Sequence, residues 1–196
     1  IGKIRFIPAA TKKGDSVDIR ILDFNQLSDG QLYFMTSKGK PVYKQLTDEP
    51  FLAINTLYKE RYSIRLNTRV EENHDPEIWE EFFSLNPGTM EMYRKDPDIM
   101  IIFKLVSGEG ELFHLYANDR IKRARFAFGG GKTRPFTYKI LDGCLACGIC
   151  MDNCVEGAIR HENGRYFISE VDCDDCGICY RKCPTRETSM SKTFYE

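Results

Sequence analysis

All eight cysteines of this 196-residue chain lie between Cys144 and Cys183, and their spacing constrains the local fold more than any other feature. Two runs stand 18 residues apart, Cys144-x-x-Cys147-x-x-Cys150-x-x-x-Cys154 and Cys173-x-x-Cys176-x-x-Cys179-x-x-x-Cys183. This is the spacing of cubane iron–sulfur sites, in which the fourth cysteine of a run ligates the other cluster. Reach explains the pattern. Three thiolates on a tight glycine-containing loop wrap three corners of a cubane, the chain then leaves as a helix, and the last corner takes a sulfur from elsewhere. Disulfide frameworks suit small secreted chains, whereas here the first 143 residues carry no cysteine. Zinc sites close on four ligands, usually from two separated C-x2-C pairs, and would leave these runs with a surplus.

The residues between the cysteines repeat as well. Cys147-Gly148-Ile149-Cys150 matches Cys176-Gly177-Ile178-Cys179, Ala158-Ile159 follows the first run, and Arg165-Tyr166-Phe167-Ile168 precedes the second. The segment resembles a bacterial two-cluster 4Fe-4S ferredoxin. That resemblance implies one 4Fe-4S cluster on Cys144, Cys147, Cys150 and Cys183, and a second on Cys173, Cys176, Cys179 and Cys154. Pro184 follows Cys183 as in that family, but Val155 follows Cys154, a departure that bears on the local turn rather than on the ligand.

A net charge of −1 supplies no field to recruit nucleic acid, and the longest apolar run, about residues 99–103, is far too short to span a bilayer. The chain opens at Ile1 with no charged-then-apolar leader. Cluster ligands favour a reducing compartment, so a cytoplasmic location is expected, with no nucleic acid and no membrane as partner.

Residues 1–116 alternate between strand patterns and turns. Strands are predicted at residues 3–8, 17–24, 31–35, 51–58 and 62–70, with turns at Lys13-Gly14-Asp15, Asp29-Gly30 and Lys59-Glu60. A short helix starts at Pro41. Asp75-Pro76 opens another, with Ile78, Trp79, Phe82, Phe83 and Leu85 on one apolar face, and a third covers about residues 89–95. Residues 99–106 and 111–116 read as two further strands about a Ser107–Gly110 turn. The sum is an antiparallel sheet of six or seven strands with a helical insertion, a small barrel. The basic run from Asn118 (Arg120, Lys122, Arg123, Arg125) reads as a solvated face, and Gly129-Gly130-Gly131 as a linker. The expected organisation is mainly β with helical insertions, a split β-barrel over residues 1–128, a linker over 129–140, and a small α+β ferredoxin-like domain over 141–196.

This order of elements, from about residue 4 to 116, resembles the pyridoxamine-phosphate-oxidase-like flavin-binding split barrels. Its most telling part is the strand with Arg20, the strand ending in Thr36-Ser37, the basic loop and short helix with Lys44, and the apolar strand that follows. The resemblance implies FMN held non-covalently at a homodimer interface. Arg20 and Lys44 match phosphate-contacting positions, Thr36 and Ser37 match the strand end beside the cofactor, and Lys38 is a further candidate. Members of that family also use deazaflavin or haem. A phosphate does call for clustered cations and hydroxyl donors, although the same lysines by themselves fit a solvated basic face.

Other motifs fail. Gly131-Lys132-Thr133 ends like a phosphate-binding loop, but Phe126 stands where its first glycine is needed. His74, His114 and His161 lie far apart in sequence, and His114 reads as a hydrogen-bonded structural histidine. A catalytic residue cannot be named from the sequence. Clusters move single electrons and flavins deliver pairs, so the two halves together predict an iron–sulfur flavoprotein oxidoreductase of anaerobic or microaerobic metabolism. Its partners would be a small organic substrate and a redox protein or small-molecule electron donor or acceptor. The competing expectation is a non-catalytic electron carrier or redox sensor that uses the barrel as a scaffold.

Overall fold

The computed structural model describes residues 5–116 and 122–193. Lys3 and Ile4 of the first predicted strand, and Asn118 and Arg120 of the basic run, lie outside the described residues. The chain divides into two compact units: Ile1–Tyr58, Ile64–Gly110 and Phe126–Lys132 form the first, and Lys59–Ser63, Glu111–Arg125 and Thr133–Glu196 the second.

The main sheet, most of whose residues belong to the first unit, comprises strands β1 (Phe6–Lys13), β2 (Ser16–Gln26), β3 (Leu32–Ser37), β4 (Phe51–Tyr58), β5 (Tyr62–Asn73), β6 (Met100–His114) and β7 (Arg123–Phe128). The sheet order is β3-β2-β1-β4-β5-β6-β7, and an additional β3–β6 pairing closes the first six strands into a barrel. Closure is antiparallel, with Phe34 opposite Phe103 and Thr36 opposite Ile101.

Period-two alternation fills the barrel. Ile7 and Ala9 of β1, Leu22 and Phe24 of β2, Leu52 and Ile54 of β4, and Leu66 and Val70 of β5 point into one core. Its centre is aromatic: the Phe34 ring lies 5.4 Å from Phe103 and 5.3 Å from Phe24. Fully burying such a side chain contributes about 1.5–3 kcal/mol. Strand β6 is buried on both faces. Ile101 and Phe103 enter the barrel core, while Met100 and Ile102 meet Phe82 and Phe83 of helix α2 (Pro76–Leu85) in a second cluster. That double burial explains the unbroken apolar run that opens this strand.

Helix α2 begins as the sequence dictates, with the Asp75 carboxylate accepting from the Glu77 N–H at 2.9 Å. Trp79 packs partly buried against both clusters and donates its indole N–H to the Asn73 carbonyl at 2.8 Å. Leu85, predicted on the apolar face, is exposed. Helix α1 spans Pro41–Asp48, and the short helix α3 spans Pro87–Met92, earlier than predicted.

The predicted Ser107–Gly110 turn is absent, because β6 runs unbroken through it. Its glycines serve close approach instead. A Cβ on Gly108 would overlap the Asn67 carbonyl, and one on Gly110 would overlap the Phe126 ring. Glycine inside a strand pattern marks such approach as readily as a turn. Gly129, with φ +57°, is seated in the same way against the Val106 carbonyl. At Lys59 and Glu60 the predicted turn is present, both residues having positive φ.

On the outer side of the barrel wall, Val17, Ile19 and Ile21 of β2 are 63%, 70% and 59% exposed, and Phe6 of β1 is also exposed. Register sets Ile19 beside Ala10 and Ile21 beside Pro8, so an apolar stripe crosses two strands.

The second unit contains two small antiparallel ribbons, β8 (Tyr138–Ile140) with β11 (Met190–Lys192), and β9 (Ile159–Glu162) with β10 (Arg165–Ile168). Between them lie helices α4 (Ile149–Asp152), α5 (Ile178–Lys182) and α6 (Arg186–Ser189). No helix among the described residues is long and apolar enough to cross a membrane.

Candidate metal centre

The two cysteine runs fold as pseudo-symmetric copies. In each, the residue before the second cysteine takes positive φ (Ala146 at 53°, Asp175 at 61°), and so does the glycine after it (Gly148 at 81°, Gly177 at 76°). These left-handed residues curl the loop so that successive thiols face a common space. Gly148 and Gly177 then cap α4 and α5, which carry Cys150 and Cys179 into the interior. A tyrosine covers each glycine from the opposite ribbon: Tyr166 of β10 stands over Gly148, and Tyr138 of β8 over Gly177.

One cavity is lined by Cys144, Cys147 and Cys150 together with Cys183 from the other run, and by Tyr166 and Met190. On the other side, burial first and then the neighbouring Cys173, Cys176 and Cys154 sulfurs push the Cys179 thiol up to about 12. Burial likewise raises Cys150 and Cys173. Burial of this kind disfavours the free thiolate, even at Cys173 where Arg123 acts against it, and a metal relieves that state, since ligand thiols are deprotonated on binding. Backbone N–H groups already aim at sulfur: Ala158 donates to Cys154 Sγ at 3.2 Å and Asp175 to Cys173 Sγ at 3.3 Å. Among the described residues no three His, Cys, Asp or Glu side chains close around a single ion. A cubane asks for something different, one thiolate per corner around a space, and the residues present fit that group.

The basic run departs from the solvated face the sequence suggested. Arg123 and Arg125 are 5% and 6% exposed, paired with Glu111 and with Asp175 between two of the cysteines. Charge pattern along the sequence hid this, because the partner carboxylate lies 50 residues away. The available signal was the mismatch between Ala146 and Asp175 at equivalent positions of the two runs.

The flavin candidates sit in the first unit. Arg20 donates to Thr11 Oγ1 at 2.6 Å and to Gln45 Oε1 at 2.9 Å, and lies 3.3 Å from Asp18. Lys44, 78% exposed, pairs with Asp48 one turn along α1. Gln45 and Lys44 line one cavity of about 420 Å³ with Lys12, Lys13, Asp48 and Glu49, so Arg20 and Lys44 are brought to neighbouring positions. Thr36 and Ser37 are buried in β3, Ser37 Oγ accepting from the Gly39 N–H at 3.3 Å. Lys38 turns away, its ammonium donating to the Asp98 carbonyl at 2.8 Å beside a separate cavity of about 560 Å³ floored by Trp79, Phe83 and Met100. The five residues therefore do not converge on one cavity of a single chain.

Of the histidines, His74 lines the cavity beside Lys38, and His114 and His161 line neither that cavity nor the one beside Lys44. His114 is buried, with Nδ1 against the Tyr116 carbonyl and its ring 4.7 Å from Tyr62. His161 packs on Tyr166 at 4.4 Å, and His74 is exposed near Glu72.

Fold and site together define a closed split barrel joined to a ferredoxin-like cluster domain. Residues 143–187 match the 4Fe-4S dicluster domain family. The chain is also 36% identical over 62 residues to pyruvate synthase subunit PorD of Methanothermobacter marburgensis, covering 30% of this chain and 67% of the subunit. Through these residues the chain belongs to the 4Fe-4S dicluster family. The barrel is similar in fold to a NimC/NimA family protein of Clostridium acetobutylicum, at TM-score 0.55 and 23% identity over 63% of this chain and 83% of that one. A protein of the pyridoxinephosphate oxidase family from the same organism also aligns, at TM-score 0.46 and 14% identity over 63% and 86%. The N-terminal part thus shares the barrel fold of that NimC/NimA family protein.

Proposed function

We propose that the protein is an iron–sulfur flavoprotein oxidoreductase that passes electrons between two 4Fe-4S clusters and FMN, to reduce or oxidise a small organic substrate. The observation that carries this reading is the union, in one chain, of a 4Fe-4S dicluster domain with a barrel of the flavin-binding type. Clusters supply single electrons, and a flavin supplies the coupling to two-electron chemistry. Cys144, Cys147, Cys150 and Cys183 would hold one cluster, and Cys173, Cys176, Cys179 and Cys154 the other. Arg20 and Lys44 would meet the flavin phosphate, Lys44 leaving Asp48 to do so, with Thr36, Ser37 and Lys38 at the strand end beside it.

A homodimer belongs to this reading on two grounds. The candidate residues divide between two cavities of one chain, and the outer barrel wall carries an exposed apolar stripe of the kind that marks association surfaces. The exchange partner is a redox protein or a small electron donor or acceptor, and the setting is an anaerobic cytoplasm. Protein purified without oxygen is expected to hold about eight iron and eight sulfide per chain, and to release flavin on denaturation. Failure to bind FMN on reconstitution would overturn the flavoprotein reading. Turnover of protein partners but of no small electrophile would instead favour a carrier.

A further inference from the structure

The two cysteine runs are alike in backbone but not in charge. At the position before the second cysteine, the first run has Ala146 and the second has Asp175. Asp175 is held by two guanidiniums. Arg123 Nη1 and Arg125 Nη2 both donate to its Oδ2, the latter at 2.9 Å, while Glu111 Oε2 accepts from Arg125 Nε at 3.2 Å and stands as an ion-pair partner 3.3 Å from Arg123 Nε.

The arginines are fixed from every side. Arg125 donates to the carbonyls of Arg134 and Pro135 at 3.3 Å and 3.0 Å and lies 4.1 Å from the Phe136 ring centroid, and Arg123 lies 5.3 Å from that of Phe113. The backbone N–H groups of Lys122 and Arg123 both donate to the Val171 carbonyl, and the Lys122 ammonium pairs with Glu156. Asp175 in turn donates its N–H to Cys173 Sγ. Buried charges of this kind are weakly screened, and hydrogen bonding and net charge around the sulfurs are what set a cluster's potential.

We propose that Arg123 and Arg125 are positioning residues that raise the reduction potential of the group held by the second cysteine run and leave the first unaffected, offsetting the charge that Asp175 alone would place beside one cluster and not the other. By clamping and neutralising Asp175, they remove a negative charge that would otherwise oppose uptake of an electron a few atoms away. The first run, with alanine at that position, needs no such clamp. This rests on the reading that both runs carry clusters, and iron and sulfide content of the wild-type protein tests that reading separately.

The test is an EPR-monitored redox titration of the full-length holoprotein. Arg123→Gln is expected to move one of two midpoints to lower potential and leave the other in place, with Arg123→Lys restoring most of the shift. Unchanged midpoints at full iron content would overturn the proposal, as would equal movement of both clusters. Should Arg123→Gln lose iron, Asp175→Asn decides: one midpoint rises if the carboxylate is the charge being neutralised, and the proposal fails if it does not.

Discussion

The two glycines that cap the cluster helices should respond unequally to the same substitution. Gly148 and Gly177 share a left-handed backbone, which an alanine adopts at a cost of about 1–2 kcal/mol. Their surroundings differ. A Cβ on Gly148 would meet the Tyr166 hydroxyl at 3.4 Å, an ordinary contact, whereas one on Gly177 would meet Tyr138 Oη at 2.5 Å and its Cζ at 2.9 Å. The rigid ring must then move, adding an overpacking penalty of about 1–3 kcal/mol. Gly148→Ala should therefore cost about 1–2 kcal/mol and Gly177→Ala about 2–5 kcal/mol. Anaerobic denaturant titration of the iron-loaded proteins, followed by cluster absorbance, measures both. A double-mutant cycle with Tyr138→Ala isolates the steric part, since that change should recover the excess at Gly177 and nothing at Gly148. Equal costs at the two glycines, or no coupling to Tyr138, would refute the reasoning.

Two further outcomes are expected. Cys183→Ser should leave an EPR spectrum like that of Cys144→Ser, because both ligands would serve one cluster; a spectrum matching Cys173→Ser instead would break the crossed assignment. In the barrel, Tyr33→Phe removes the hydroxyl that donates to Asp29 at 2.7 Å and should cost about 1 kcal/mol at neutral pH. Burial alone would raise the Asp29 carboxyl, but the Tyr33 hydroxyl, the Gln31 N–H and the Lys104 ammonium together hold it below the usual range. Its contribution is thus present above the ordinary carboxylate pKa and lost as pH falls through the depressed one. Acid unfolding followed by Trp79 fluorescence should be shallower in the variant, and parallel curves would count against the bond.

The cluster domain was legible because its chemistry is local. Four cysteines per run, a glycine at a fixed offset and a following helix are all written within a dozen residues. The barrel was legible through a strand such as that holding Leu22 and Phe24, whereas the first strand was expected to stop at Pro8 and in fact runs from Phe6 to Lys13. Ser107–Gly110 misled because glycine signals a turn and a close strand crossing alike, and only the positions of Asn67 and Phe126 decide between them. Arg123 and Arg125 misled for a related reason: a charge run looks solvated until the distant Asp175 is known. The apolar half of β2 was visible as Val17, Ile19 and Ile21, but the face it would take depended on which side closes the barrel.

Strand β6 also sets a timetable for biosynthesis. Its first half pairs with β3 to complete the barrel, so closure waits for about seventy residues of intervening chain, as the Tyr33–Lys104 pairing requires. Arg123 is made 52 residues before Asp175, an interval of roughly 3–10 s at ribosomal rates of about 5–20 residues per second. During that interval the guanidinium has Glu111, already made earlier in the chain, but not its second carboxylate. The second cysteine run is therefore synthesised after every strand of the barrel, and the arginines wait on a carboxylate not yet made.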